Sequence, residues 1–387
     1  MTVNTAPVTE TLSSPGSTDA MIEVTNLCKE YVAGSGAMAV DNISFTIGGG
    51  ELRTLLGPSG CGKTTTLRML AGLERPTSGE IRIGGTIVYS SEKRIWLPAN
   101  QRRIGMVFQS YAIWPHMSVF ENVAFPLRVS RPRIARSEIK RRTLEALEAV
   151  GLSEFAQRAG TALSGGQQQR AVLARAIVRQ PDVLLLDEPL SNLDVKLRER
   201  MRDWIRDVQE RTGLTTVFVT HDQSEALGLS DHISVMSSGH IVETASPVSL
   251  YREPADPFSA RFVGSVNCIP GVVRAVDARR GVVATVIGDI DARMVAPTAI
   301  GEDVEVFVRP EDLLISRADP GASSAFLSSL TYQGSHWDVM VAVDGTPLRV
   351  VIDRSPGLVA GEAVSVGIRD DRAVTGFPAS AGVSEQP

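Results

Sequence analysis

The hydrophobic positions in the first two thirds of the chain fall into short apolar runs separated by longer mixed segments. The runs at 22–27, 43–47, 52–57, 103–108, 183–189 and 215–220 predict strands. Several of them are apolar throughout, which is typical of strands in a sheet that is covered on both faces. The pattern therefore predicts an α/β fold.

A helical period replaces these runs between about residues 110 and 180. In residues 137–150, charged positions separate the apolar residues Ile139, Leu144, Leu147 and Val150. This spacing predicts an amphipathic helix. We expect the whole region to form a mostly helical subdomain.

The pattern of hydrophobic and polar residues changes again after about Arg261. Short β-branched runs are separated by Gly, Pro and Asp, and Asp344-Gly345 stands between two alternating runs, which predicts a hairpin. We expect a small β-barrel or a pair of β-units here, joined to the preceding domain by a linker at Arg252–Phe258.

A length of 387 residues suits two domains. The predicted organisation is a disordered tail over residues 1–20, an α/β domain over 21–258 and an all-β domain over 259–380. The tail is rich in Ser, Thr and Pro, and it lacks the basic and apolar regions of a signal peptide.

Net charge, cysteine content and hydrophobicity exclude several classes of function. The formal net charge of −5 indicates a soluble globular protein without the basic face that nucleic acid would require. Cys28, Cys61 and Cys268 fit neither a zinc spacing nor a disulfide framework, so the cytoplasm is the expected compartment. No run of roughly eighteen apolar residues occurs, so any membrane role needs a partner.

A glycine-rich segment, "GPSGCGKTT", lies between an apolar strand and a helix. Its glycines would let backbone N–H groups and the helix N-terminus face a phosphate. Lys63 would reach the β- and γ-phosphates, and the Thr64 hydroxyl would ligate Mg²⁺. The alternative is a strand-to-helix turn without a ligand. The predicted nucleotide-binding residues of this loop are Gly57, Pro58, Ser59, Gly60, Cys61, Gly62, Lys63, Thr64 and Thr65.

Cys61 lies in this loop beside a helix N-terminus, a position that predicts a lowered thiol pKa. We expect alkylation of Cys61 to inhibit ATP hydrolysis and ATP to protect it. The alternative is a small buried side chain.

The run "VLLLDEP" ends in two carboxylates. Asp187 would hold Mg²⁺ through water, and Glu188 would orient or deprotonate the attacking water. Alternatively, the pair caps the next helix. Gln109 and His221 also follow apolar runs, and each is weak evidence on its own.

A second glycine-rich segment, "LSGGQQQR", has no lysine. Together with "GPSGCGKTT", "MVFQ", "LLLDEPLSNLD" and "VTHDQSEA", in this order, it resembles the nucleotide-binding subunit of an ABC transporter over residues 21–264. The resemblance implies a P-loop NTPase domain with a helical subdomain, which hydrolyses ATP with Mg²⁺ to drive transport.

The resemblance gives the second loop a role. Ser164, Gly165, Gly166 and Gln167 match a signature that binds the ATP of a partner subunit, which implies a head-to-tail homodimer. By itself this segment is a turn and a helix cap.

Four further residues match functional positions of the ABC transporter family. Gln109 matches the residue that senses Mg²⁺ and the γ-phosphate, and His221 matches the switch histidine. Asp194 matches the residue at the dimer seam, and Tyr31 the aromatic residue that stacks on adenine. The metal ligands implied are Thr64, Gln109 and Asp187.

The resemblance also implies partners. Residues 111–127 resemble the surface that receives membrane permease subunits, with ordinary core as the alternative. An extracytoplasmic solute-binding protein is expected, nucleic acid is not, and the location is peripheral on the cytoplasmic face of the inner membrane.

The C-terminal segments 306–316 and 330–345 resemble the OB-like TOBE domain of importer ATPases. Segments 110–127 and 220–236 resemble the ferric iron, polyamine, opine and phosphonate branch more than the sugar branch. The implied solute is therefore ferric iron or a polyamine, with a sugar or phosphonate as alternatives. A soluble ABC ATPase outside transport is the alternative of another class. Its usual coiled-coil insertion or second nucleotide domain does not occur in the sequence.

Overall fold

The computed structural model describes residues 20–32, 36–110, 112–318, 325–355, 357–369 and 374–379. The predicted tail lies outside these residues except for Ala20, which begins the first strand. The described residues form two compact units: the first comprises those up to Glu51 together with those of Thr65–Val217, and the second comprises Leu52–Thr64 together with those from Phe218 onward. The predicted domain boundary at residue 258 stays a prediction.

The first unit contains an antiparallel five-stranded sheet of order β2-β1-β4-β5-β6. In the same unit, β7 and β8 pair with each other in parallel. Its strands are β1 (Ala20–Glu30), β2 (Met38–Gly48), β4 (Ser78–Ile83), β5 (Thr86–Ser90), β6 (Ile95–Trp96), β7 (Ile104–Val107) and β8 (Val183–Asp187).

Helices fill the region predicted to be mostly helical. They are α2 (Val119–Arg128), α3 (Arg136–Ala149) and α4 (Gly165–Ile177), preceded in the chain by α1 (Lys63–Ala71) and followed by α5 (Val195–Thr212). The amphipathic helix is therefore confirmed as α3. One of its predicted core positions is wrong: Leu144 is 39% exposed, because the buried stripe runs through Thr143, Ala146 and Leu147 instead.

In the second unit, strand β10 lies between a parallel neighbour and an antiparallel one, β3 and β11. Every residue of β3 is buried, as in β8 and β9, which confirms the prediction of strands covered on both faces. The unit boundary falls inside β9. The elements are β3 (Leu52–Leu56), β9 (Thr215–Thr220), α6 (Gln223–Leu229), β10 (His232–Ser237), β11 (His240–Ala245), α7 (Pro247–Arg252) and α8 (Pro257–Phe262).

The predicted linker is partly helical: Arg252 ends α7, and Pro257 and Phe258 begin α8. Only residues 253–256 separate α7 from α8, because the Asp256 side chain accepts hydrogen bonds from the N–H groups of Phe258 and Ser259, and Pro257 suits a first helical position. Pro257 thus begins a helix, whereas Pro254 lies in the connection between α7 and α8.

The C-terminal part is all-β and consists of a closed β-barrel and a β-sheet, which matches the predicted pair of β-units. A closed barrel is formed by β12 (Asn267–Asp277), β13 (Arg280–Thr285), β14 (Gly288–Met294), β15 (Asp303–Val308) and β21 (Thr375–Pro378). A five-stranded sheet is formed by β16 (Leu313–Arg317), β17 (Ala325–Tyr332), β18 (Trp337–Val343), β19 (Thr346–Ile352) and β20 (Ala363–Ile368).

Barrel and sheet share one hydrophobic core. The hairpin predicted at Asp344-Gly345 joins β18 to β19, and both turn residues have positive φ, 47° and 83°. Positive φ at both central residues is typical of a type I′ turn, whose twist matches that of the two strands it joins.

Buried Arg309 connects this part to α7 and α8. Its guanidinium donates to the carbonyl oxygens of Tyr251, Ala260 and Ser265 and lies 4.1 Å from the centre of the Tyr251 ring. The "RPED" segment that suggested a TOBE domain is therefore part of the packing between helix and barrel.

Candidate functional site

The glycine-rich loop follows β3 and leads into α1. The side chain of Lys63, which is 5% exposed, folds back over the loop, and its Nζ donates to the carbonyl oxygens of Gly57 (2.7 Å) and Pro58 (2.8 Å). An ammonium held against two carbonyl groups is positioned to exchange them for the stronger acceptors of a phosphate.

Two features of the loop require glycine. A Cβ at Gly57 would collide with the carbonyl oxygen of Met236 and lie 2.7 Å from the Sγ of Cys61. Gly60 and Gly62 have φ of 83° and 104°, which L side chains rarely adopt. Close packing and backbone conformation together explain the spacing of these glycines.

The predicted direction of the Cys61 pKa is wrong. The side chain is 3% exposed, and burial raises the pKa of the thiol, although Lys63 at 3.7 Å acts in the opposite direction. Desolvation of a thiolate outweighs the attraction of one nearby cation here.

We therefore expect alkylation of Cys61 by iodoacetamide to be slow at pH 7 and to accelerate as the pH rises above 9, because the thiolate is the nucleophile. ATP should slow the reaction further. Mass spectrometry after timed alkylation measures it, with Cys61→Ser as the control for labelling at Cys28 and Cys268. Labelling at pH 7 as fast as that of a free thiol would contradict the burial.

The carboxylate pair lies at the end of β8. Asp187 is 4% exposed, and Glu188 has φ of 44°, an uncommon conformation for a residue other than glycine. The side chain of Gln109, which follows β7, donates from Nε2 to Glu188 Oε2 at 3.1 Å. Parallel pairing of β7 with β8 brings these two predicted residues together. Strained backbone of this kind is concentrated at functional sites.

Two amides that the sequence analysis missed hold this strand end. Gln169, 2% exposed on α4, donates to the carbonyl oxygen of Pro189 at 2.5 Å, and Asn192 donates to the carbonyl oxygen of Gln109 at 3.2 Å. No signal in the sequence distinguishes Gln169 from the neighbouring Gln167 and Gln168, because its burial is evident only after folding.

The second glycine-rich segment begins α4. Ser164 is the N-cap: its side chain accepts from the N–H of Gln167, and the Gln167 side chain accepts in return from the N–H of Ser164. Gly165 is exposed, whereas a Cβ at Gly166 would lie 2.9 Å from Leu197. The segment therefore presents a helix N-terminus whose first residues lack bulky side chains.

Asp194 caps the next helix. Its side chain accepts from the N–H of Leu197 at 3.0 Å, and the residue itself is exposed. This is a structural role in addition to the one implied by the resemblance.

Tyr31 follows β1 and is 55% exposed. Its hydroxyl lies 3.2 Å from Oγ1 of Thr65, and Nζ of Lys29 lies 4.9 Å from the centre of the ring. One predicted nucleotide-binding residue therefore contacts another, and the ring keeps an accessible face. An exposed aromatic face is suited to stacking.

His221 is exposed between β9 and α6. The next residue, Asp222, caps α6 by accepting from the N–H groups of Ser224 and Glu225. The cap fixes where the strand ends and the helix begins, and His221 stands at that junction.

The segment predicted to meet a permease starts at Tyr111, which lies outside the described residues. Trp114 is half-buried, with its ring 4.6 Å from that of Phe125 and 4.5 Å from the guanidinium of Arg175. Asn122 is fully buried and holds the loop by accepting from the N–H of Trp114 and donating to three carbonyl groups of 114–118. Pro115 and His116 are exposed at the tip of a rigid loop.

In the part of the chain that the structure covers, no group of three or more His, Cys, Asp or Glu side chains is arranged to hold a metal ion. Nor do the described helices include one long and apolar enough to span a bilayer.

Comparison with known proteins accords with this geometry. The family model for "ABC transporter" matches residues 40–191, and that for "TOBE domain" matches residues 306–375. The chain is 46% identical to a spermidine/putrescine import ATP-binding protein, PotA, of Rubrobacter xylanophilus, over 85% of this chain and 87% of the relative. It is 45% identical to an Fe(3+) ions import ATP-binding protein, FbpC 1, of Rhizobium meliloti, over 88% and 92%.

A solved structure is also similar: a dimeric ATP-binding cassette, MJ0796, in a post-hydrolysis state bound to ADP and Pi. It has a TM-score of 0.50 and 32% sequence identity and covers 59% of this chain and 99% of its own. The motifs, the fold and the relatives agree, and the chain belongs to the ATP-binding subunits of ABC-type importers, which bind ATP and couple its hydrolysis to transport.

Proposed function

We propose that this chain powers the import of ferric iron or a polyamine through a membrane permease from the cytoplasmic face. The proposal is based on two sequence identities over most of the chain. The chain is 46% identical to a relative named for spermidine and putrescine, and 45% identical to one named for Fe(3+) ions. Cargo recognition belongs to the permease and to an extracytoplasmic solute-binding protein.

Lys63 and the loop from Gly57 to Thr65 bind the phosphates of ATP in this proposal. The orientation of Nζ toward the loop carbonyl groups supports it, because a phosphate is a better acceptor in the same place. Tyr31 stacks on the adenine, for which its exposed ring is suited.

Mg²⁺ fits the donor set assigned to it. Thr64, Gln109 and Asp187 offer a hydroxyl, an amide and a carboxylate, all of them hard oxygen ligands. Mg²⁺ commonly binds one or two carboxylates together with substrate phosphates, so one buried aspartate suffices. When bound, the ion would neutralise charge on the phosphates.

Glu188 is the general base, and Gln109 and His221 assist it. The hydrogen bond from Gln109 orients the carboxylate of Glu188, and an ionised carboxylate can take a proton from the attacking water molecule. His221 faces solvent at a strand end, where it is accessible to substrate.

We further propose a homodimer in which Ser164, Gly165, Gly166 and Gln167 of one protomer bind the ATP of its partner. The open helix N-terminus at Gly165 supports this assignment. Asp194 lies at the seam between protomers. The rigid loop at 112–118, with Pro115 and His116 at its tip, meets the permease and transmits dimer closure to it.

Affinity purification of the tagged native protein from membranes tests the function. We expect a permease and a solute-binding protein to accompany it, with uptake of ferric iron or spermidine lost on deletion and restored by the wild-type chain. The untagged strain is the control. Association with ribosomes or DNA in place of a permease would overturn the transport function, and uptake of a sugar or phosphonate would overturn the cargo.

A further inference from the structure

Residues 131–142 form a basic segment in a chain that is acidic overall. It contains one carboxylate, Glu138, among six cations, which are Arg131, Arg133, Arg136, Lys140, Arg141 and Arg142. The segment leaves the end of α2 and continues into the first half of α3.

Most of these cations face solvent without an acidic partner. Glu138 pairs with Arg141 and Arg142. The remaining four cations, at 131, 133, 136 and 140, are exposed and make no ion pair or hydrogen bond within the described part of the chain. By comparison, exposed Arg211 on α5 pairs with Asp207 one turn away.

Their position is also unfavourable for the helix itself. Arg136 is the first residue of α3, and the N-cap Ala135 provides no side-chain hydrogen bond. A helix N-terminus carries partial positive charge, so cations there are repelled. Glu138 in the first turn offsets part of this repulsion, but the four unpaired cations make no contact within the described residues that would favour the fold, which points to an external anion.

Apolar side chains accompany the charge. Val129, just before the segment, is 60% exposed, and Leu144, just after it, is 39% exposed. Basic residues flanked by exposed apolar ones are typical of surfaces that bind the interface of an anionic membrane.

We propose that the basic segment 131–142 binds the anionic lipid headgroups of the membrane. This rests on the proposed function only because that function brings the chain to a membrane. The α2 helix of ten residues, about 15 Å long, connects the proposed permease-contacting loop to the segment, so both are within reach of one membrane surface.

Vesicle flotation with the purified full-length protein tests the proposal without any permease. We expect binding to vesicles of mixed phosphatidylcholine and phosphatidylglycerol, weakened by salt, and little binding to phosphatidylcholine alone. The triple variant R131Q/R133Q/R136Q should partition about a hundredfold less well, given the usual contribution of each basic residue near a charged surface.

The triple variant R179Q/R279Q/R354Q is the matched control, because it removes the same charge from other exposed arginines. It should bind vesicles like the wild type, and both variants should keep wild-type ATP hydrolysis and thermal stability. Equal binding to neutral and anionic vesicles, an equal loss in both variants, or binding of RNA but not of vesicles would overturn the proposal. Failure to recover a permease would affect only the proposed function.

Discussion

The substitution Glu188→Gln is expected to slow ATP hydrolysis by about 100- to 10,000-fold, the usual contribution of a general base, while ATP binding persists. Glutamine can still accept the hydrogen bond that Gln109 donates to the side chain at 188, so the local geometry should be retained. The carboxylate that takes the proton from water is lost. Because the bound ATP is not hydrolysed, the closed dimer should then accumulate.

Steady-state phosphate release measures the rate, and size-exclusion chromatography with ATP measures the dimer. The matched control is Glu199→Gln, which makes the same change at an exposed position of α5 and should hydrolyse ATP normally. Near wild-type turnover in Glu188→Gln would remove this residue from the mechanism.

The substitution Lys63→Ala is expected to weaken ATP binding by roughly ten- to a hundredfold, because it removes charge-assisted hydrogen bonds to phosphate. Lys63 is buried, and within the described part of the chain its ammonium group donates hydrogen bonds only to atoms of its own loop. Its loss should therefore affect the loop rather than the rest of the unit.

Titration with a fluorescent ATP analogue measures the affinity, and thermal unfolding verifies that the variant is folded. Lys93→Ala is the control, since Lys93 pairs with Glu80 on the surface. Affinity unchanged in a folded Lys63→Ala protein would contradict the assigned contact with phosphate.

Much of the fold follows from local patterns. Two of the apolar-rich runs form the buried strands β3 and β8, and the Asp344-Gly345 turn joins β18 to β19. Local pattern failed where burial depends on neighbours distant in sequence. Leu144 fits a helical period but lies outside the buried stripe of α3, and Pro257, predicted to be part of a linker, begins a helix.

The candidate site shows the same division. Its residues were identified from motif order, but their contacts were not. The amide of Gln169 packs beneath Pro189, and Asn122 holds the loop around Trp114; neither was predicted. Only contacts made after folding distinguish such an amide from an ordinary polar position.

The sequence by itself determined the order of the phosphate loop, the carboxylate pair and the signature segment, because each requires particular residues in immediate succession. Tertiary structure alone decided how these residues are oriented and charged. Burial raises the pKa of Cys61 against the effect of Lys63, and strand pairing brings Gln109 to Glu188, 79 positions away. Desolvation and long-range contact are properties of the packed chain, so no local pattern encodes them.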